Sequence, residues 1–119
     1  MTSATLPDSA RMRDAAHDVV RMLKAIGNQD RLMLLCELAR GERCVGELEE
    51  NLAIRQPTLS QQIGVLRTEG LVAGRRDGKH IYYRVADPQA LRLLRSLEQV
   101  FCGGGDATPS PSRKQGIRR

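Results

Sequence analysis

Gln56-Pro57-Thr58-Leu59-Ser60-Gln61-Gln62-Ile63-Gly64-Val65-Leu66-Arg67, then Gly70-Leu71-Val72, then Arg75-Arg76-Asp77-Gly78-Lys79, is the stretch whose reading decides the fold. Pro57 suits the first turn of a helix, where its missing N–H costs nothing, and Gly70 ends that helix. Leu59, Ile63 and Leu66 share one face at helical spacing. The opposite side carries Thr58, Gln61, Gly64, Val65 and Thr68, with Ser60 and Gln62 on the flanks. Asp77-Gly78 joins two β-forming runs, 71–76 and 79–85, and is among the strongest two-residue hairpin signals. A polar-faced helix followed by a hairpin with a basic tip is what a protein needs to fill a DNA major groove and press a β-wing on nearby phosphates.

Outward from that stretch the chain reads as helices. Val19, Met22, Leu23 and Ile26 recur at helical spacing over 9–26, and Gly27 closes the first helix. Asn28 caps a second helix to about residue 40, with Leu32, Leu34, Leu35, Leu38 and Ala39 inward and Gly41 as its stop. Val45, Leu48 and Leu52 make a short third helix over 45–52. Asp87-Pro88 caps and starts a fifth, carrying Leu91, Leu93, Leu94, Leu97, Val100 and Phe101. The order ααααββα is a mainly α winged helix-turn-helix with a two-stranded β-wing, spanning 9–102. Residues 1–8 read as a disordered N-terminus. Beyond Gly103-Gly104-Gly105, the Pro, Ser, Gly and Arg composition of 103–119 reads as a flexible basic tail.

The chain has 119 residues, enough for one small domain. With Phe101, Tyr82 and Tyr83 as its aromatics and no Trp, aliphatic packing between helices must supply the core. No apolar run approaches the roughly 20 residues of a membrane span. The first ten residues lack the basic-then-apolar layout of a secretory signal. A cytoplasmic protein whose cysteines start as thiols is expected. The formal charge of +5 is unevenly spread. Residues 55–84 hold six basic and two acidic groups, whereas 42–50 hold one basic and four acidic. Positive charge therefore gathers around the polar helix and hairpin, as a phosphate footprint requires.

Amides and hydroxyls suit base edges, glutamine pairing with adenine and serine or threonine serving several partners. Gln56, Thr58, Ser60, Gln61 and Gln62 are the candidates for base contact. Gly64 permits close approach, at about 1 kcal/mol of helix propensity relative to alanine. Arg67, Arg75, Arg76 and Lys79 fit phosphate contact, which positions a protein on DNA without specifying sequence. Either element alone would be an ordinary solvated helix or hairpin. Joined in this order behind a short helix at turn distance, they favour DNA binding.

Several motifs, taken in order, resemble the ArsR/SmtB family of bacterial repressors over roughly residues 12–102. They are Cys44-Val45-Gly46-Glu47-Leu48, Gln56 to Gln62, Leu66-Arg67-Thr68-Glu69-Gly70-Leu71-Val72, and Arg75 to Arg84. The resemblance implies a homodimer paired through the first and last helices. Such a dimer binds an imperfect inverted repeat and is released by an inducer. Paired reading helices agree with half-sites one helical turn apart.

The inducer turns on Cys36, Cys44 and Cys102. An arsenic or heavy-metal site of the best-known family type resembles Cys-Val-Cys, and this chain has Cys44-Val45-Gly46. A zinc site on the last helix needs His, and 87–102 has none. His17 and His80 are distant in sequence, so no tetrahedral set of four assembles. No metal and no cofactor are expected. Cys36 and Cys102 each sit at the flank of an apolar stripe, which leaves their sulfurs partly accessible; two small core residues is the plainer alternative. Leu34-Leu35-Cys36 and Val100-Phe101-Cys102 resemble the family's dithiol branch, whose members respond to persulfides, hydrogen sulfide or oxidants. The resemblance implies that Cys36 and Cys102 are the sensing pair, closing a disulfide or a polysulfide bridge. Cys44 departs from that pattern and is a possible modulator. Arg40, one turn past Cys36, is expected to favour its thiolate, and Glu98 to oppose ionisation of Cys102, so that Cys36 is modified first.

Three other readings stand beside this one. A thiophilic metal bound by Cys36, Cys44 and Cys102 keeps the regulator and changes the inducer. A thiol oxidoreductase lacks support, because the chain has no Cys-x-x-Cys and no βαβ pattern; the protein is expected not to be an enzyme. A non-specific DNA-coating protein is the fourth, aided by the basic tail.

Overall fold

The computed structural model describes residues 8–103. The elements are α1 (Ser9–Ile26), α2 (Gln29–Ala39), β1 (Arg43–Cys44), α3 (Val45–Leu52), α4 (Thr58–Thr68), β2 (Val72–Asp77), β3 (His80–Val85) and α5 (Pro88–Cys102). No described helix is long and apolar enough to cross a membrane. The expected tail lies outside the described residues apart from Gly103. The expected disordered N-terminus lies outside them apart from Asp8, whose carboxylate caps α1 by accepting from Ala10 N at 3.0 Å.

Short polar side chains start the helices where the sequence places them. Asn28 Oδ1 accepts from Arg31 N at 3.1 Å, and Asp87 Oδ1 accepts from Gln89 N at 2.8 Å with Pro88 in the first turn. Each such cap is worth about 1 kcal/mol. The second and third helices pack with α4 over a shared aliphatic centre: Leu34, Leu35, Leu48, Leu59 and Leu66 are fully buried. The α4 stripe Leu59, Ile63 and Leu66 faces inward as its spacing requires. Burying each leucine contributes about 1.5–3 kcal/mol, which fixes the rotation of α4 and with it the side chains turned outward.

The wing corrects the sequence reading in two places. It has three strands, not two, because β1 pairs antiparallel with the outer edge of β3, Arg43 opposite Tyr83 and Cys44 opposite Tyr82. A two-residue strand shows no alternation, so no pattern announced it. The hairpin turn is also shifted by one residue. Asp77 pairs with His80, so Gly78-Lys79 forms the loop, with φ +66° at Gly78 and no positive φ at Lys79. Glycine at the first central position is the demand of a type II′ turn. Gly74, opposite Tyr83, makes room for that ring; a Cβ there would stand 2.9 Å from Tyr83 Cε1 and from Ile81 Cγ2.

The outer helices are incompletely covered. The first buries only Ala25 and Ile26. Met12, Val19, Val20 and Leu23 of α1 are exposed, as are Val100 and Phe101 at the end of α5, at 72% and 70%. Met12, Ala16, Val19 and Leu23 follow a four-three-four spacing, the seam of a helix that packs on another helix.

Candidate nucleic-acid interface and thiol pair

Rotation of α4 by its buried stripe leaves Ser60, Gln61, Gly64, Val65 and Arg67 exposed on one side, with Thr58 and Gln62 half-buried at the margins. Beyond the turn, Arg75, Arg76 and Lys79 are exposed along the wing. The fold thus brings every sequence-derived candidate to α4, its leading turn or the wing. Arg67, Arg76 and Lys79 form no ion pair with another described residue, so their charges are available to phosphate.

Two of the polar candidates are committed to each other. Pro57, at the N-cap of α4, supplies no capping side chain. Gln56 does so instead: its Oε1 accepts from Ser60 N at 3.1 Å and from Ser60 Oγ at 2.6 Å. Gln56 and Ser60 therefore serve to start the helix, which leaves Thr58, Gln61 and Gln62 as the candidates for base contact without that task. Arg75 is likewise occupied. Its Nε and Nη2 grip Glu42, with Nη2 to Oε1 at 2.7 Å, and its guanidinium lies 5.2 Å from the centre of the Tyr82 ring. The hydrogen bond from Arg75 holds the Glu42 carboxyl below the usual carboxylate range, and the same bond raises Arg75 further.

Sequence reasoning missed Glu42, Arg31 and Tyr82. Glu42 belongs to the acidic segment 42–50 and sits 33 residues from Arg75. No local pattern couples them; the chain leaving α2 has to run beside the wing for them to meet. Arg31 joins Gln62 to the last turn of α1 across 31 residues, again without a sequence signal.

The thiols fall on two packed helices. Cys36 is half-buried on α2, Cys102 ends α5 and is exposed, and Cys44 is half-buried in β1. The second and fifth helices are in contact. The Cys36 thiol is pushed up, first by burial, then by the negative charge of Glu98, then by that of Cys102. This overturns the expectation of a thiolate favoured by Arg40: Arg40 is not among the groups acting on Cys36, and Glu98 acts on the cysteine across the helix interface. Cys44 is not among them either. In a single subunit, no three His, Cys, Asp or Glu side chains among the described residues converge to hold a metal ion, so Cys36, Cys44 and Cys102 do not form the three-thiol site of the metal reading.

Residues 28–73 match the sequence pattern of the bacterial regulatory protein, arsR family. The chain is 53% identical over 91 residues to the biofilm growth-associated repressor of Agrobacterium fabrum, covering 76% of this chain and 78% of that protein. The crystal structure of the transcriptional repressor BigR from Xylella fastidiosa superposes with a TM-score of 0.78 at 45% identity, over 81% of this chain and 98% of that one. Reduced HlyU from Vibrio cholerae superposes with a TM-score of 0.73 at 33% identity, over 77% and 97%. Fold, reading helix and extent of similarity agree: the chain belongs to the ArsR family of winged-helix transcriptional regulators, which are not enzymes.

Proposed function

We propose that the protein is a homodimeric repressor, acting in the cytoplasm, that binds an imperfect inverted repeat and is switched by sulfur chemistry at Cys36 and Cys102. The carrying observation is the placement of the two cysteines on packed helices, close enough for the charge of Cys102 to act on Cys36. The apolar seam of α1 and the exposed Val100 and Phe101 support pairing with a second copy through the first and last helices. The names of its relatives, biofilm growth-associated repressor and BigR, support repression.

The exposed sulfur, Cys102, is the entry point. Its thiolate attacks the outer sulfur of a low-molecular-weight persulfide such as glutathione persulfide; glutathione thiolate leaves and Cys102 becomes a persulfide. The Cys36 thiolate then attacks the inner sulfur of that persulfide, hydrosulfide leaves, and the disulfide closes. Where both cysteines carry an extra sulfur, their condensation releases hydrogen sulfide and leaves a trisulfide. That longer bridge is favoured if the Cα atoms stand beyond the disulfide limit of about 7 Å. Either bridge ties α2 to α5. Because α5 belongs to the proposed dimer seam, a small rotation there re-aims both reading helices. The pairing of its strand with β3 supports a modulating role for Cys44 at the wing instead. Intact mass after glutathione persulfide tests the chemistry. Loss of two hydrogens, or that loss with a gain of whole sulfur masses, is expected; a stoichiometric adduct without any internal crosslink would count against the bridge.

On the DNA side, Glu42 competes with phosphate for Arg75. Glu42→Ala is expected to tighten binding to any duplex and to steepen log K against log salt by about 0.9, the contribution of one further phosphate contact. Fluorescence anisotropy across a salt series measures it. An unchanged slope would mean that Arg75 does not reach the backbone.

A further inference from the structure

Arg31 is bound on three sides. Its Nε donates to Ala25 O at 2.6 Å, Nη2 to Lys24 O at 3.3 Å, and Nη1 to Gln62 Oε1 at 2.9 Å. The first two bonds anchor the guanidinium to carbonyls at the C-terminal end of α1, whose last residues Ala25 and Ile26 are buried. The third falls on α4. A guanidinium has donors and no acceptor, so the atom of Gln62 that faces it must be the amide oxygen. The amide nitrogen consequently faces the other way. It bonds to no described residue, and no buried side-chain nitrogen or oxygen is left without a partner, so Nε2 reaches solvent at the margin of the polar face.

This orientation changes what Gln62 can read. A free glutamine pairs with adenine through both amide atoms, accepting from N6 and donating to N7. A glutamine whose oxygen is turned toward Arg31 presents the groove with its amide N–H donors. Guanine answers donors with two acceptors, O6 and N7, and thymine with O4; adenine offers N7 alone, beside an N6 donor that is left facing donors.

We propose that Arg31 is a positioning residue that locks the Gln62 amide, making Gln62 a donor-only reader that selects guanine or thymine over adenine. This rests on the proposal that α4 reads DNA. It also revises the expectation that every glutamine on α4 looks for adenine.

The test is equilibrium binding of the full, reduced chain to its operator and to duplexes substituted one base pair at a time, at two salt concentrations. In the wild type, one position per half-site should favour guanine or thymine over adenine by about tenfold. Gln62→Glu keeps a partner for Arg31 and removes the outward donor, so that preference should vanish or move to cytosine while thermal stability is kept. Arg31→Ala frees the amide: adenine should gain at the same position, the other positions should keep their preferences, and the salt slope should stay the same. A merely structural Arg31 would instead weaken every duplex alike. Replacing guanine by 7-deazaguanine at that position of the wild-type operator removes one acceptor and should weaken binding where guanine is preferred; it needs no variant to fold. A substitution profile unchanged by Gln62→Glu, or a wild-type preference for adenine at every α4-dependent position, overturns the proposal. Equal wild-type affinity for operator and random duplex would instead overturn DNA reading by α4 itself.

Discussion

Cys36→Ser and Cys102→Ser proteins are expected to bind operator within about twofold of the reduced wild type, yet to ignore persulfide entirely. Neither sulfur touches the reading face, and serine keeps nearly the volume of cysteine; the exposed Cys102 site should shift stability by about 0.5 kcal/mol or less, and the Cys36 site, half-buried against the core, by somewhat more. Closure of the bridge in the wild type should lower operator affinity by about 5–150-fold, the usual range of a coupling between two sites. The two variants should fail for different reasons. With Cys36 replaced, Cys102 is exposed and still takes up sulfur, so the mass rises without a crosslink. With Cys102 replaced, the remaining Cys36 is half-buried, and burial together with Glu98 holds its proton on. Its thiolate fraction is therefore small at neutral pH and grows as pH rises beyond the ordinary thiol range, so sulfur uptake should be slow at neutrality and accelerate with pH. Anisotropy with and without glutathione persulfide, paired with intact mass, reads each step. Persulfide release that survives in both variants would remove Cys36 and Cys102 from the mechanism.

What the sequence revealed and what it hid divide along the range of the forces involved. Helices announce themselves through local periodicity and caps, so α1, α3 and α5 begin and end where Asp87, Gly103, Leu52 and their like place them. The stripe Leu59, Ile63, Leu66 needed only helical geometry to be assigned to the core. The β1 strand was invisible because two residues carry no alternation and their pairing partner lies about forty positions away. Asp77-Gly78 announced a hairpin correctly, but the dipeptide does not say which pair of residues closes the loop; the register of β3 against β2 does. Polar side chains were the least legible. Gln56 and Ser60 looked like base readers until the absence of any other cap on α4 gave them a task. Glu42 in an acidic segment gave no sign that it would seize Arg75. At Cys36, Arg40 was the neighbour along the helix, while Glu98 was the neighbour through space; burial first and Glu98 second hold the thiol's proton on.

Leu23→Glu is expected to yield a folded monomer whose affinity for the full inverted repeat falls by at least about a hundredfold. Leu23 is 50% exposed in the single subunit and lies in the seam with Met12, Ala16 and Val19. A charge there faces water in the monomer and costs the subunit little, whereas in a paired seam it would be buried without a partner, at a cost of several kcal/mol. Loss of the pair leaves each duplex with one reading helix at a time. The second helix no longer benefits from being tethered beside its half-site, an advantage worth about 10²–10⁴ in apparent affinity. Half-site duplexes should show almost no difference between variant and wild type, which separates lost pairing from damage to α4. The same substitution should spare the chemistry at Cys36 and Cys102, since both thiols of the proposed bridge belong to one subunit. Sedimentation of the variant at micromolar concentration, alongside anisotropy on full and half sites, gives the answer. A variant that stays dimeric and keeps full operator affinity would show that the α1 seam is not what joins two subunits.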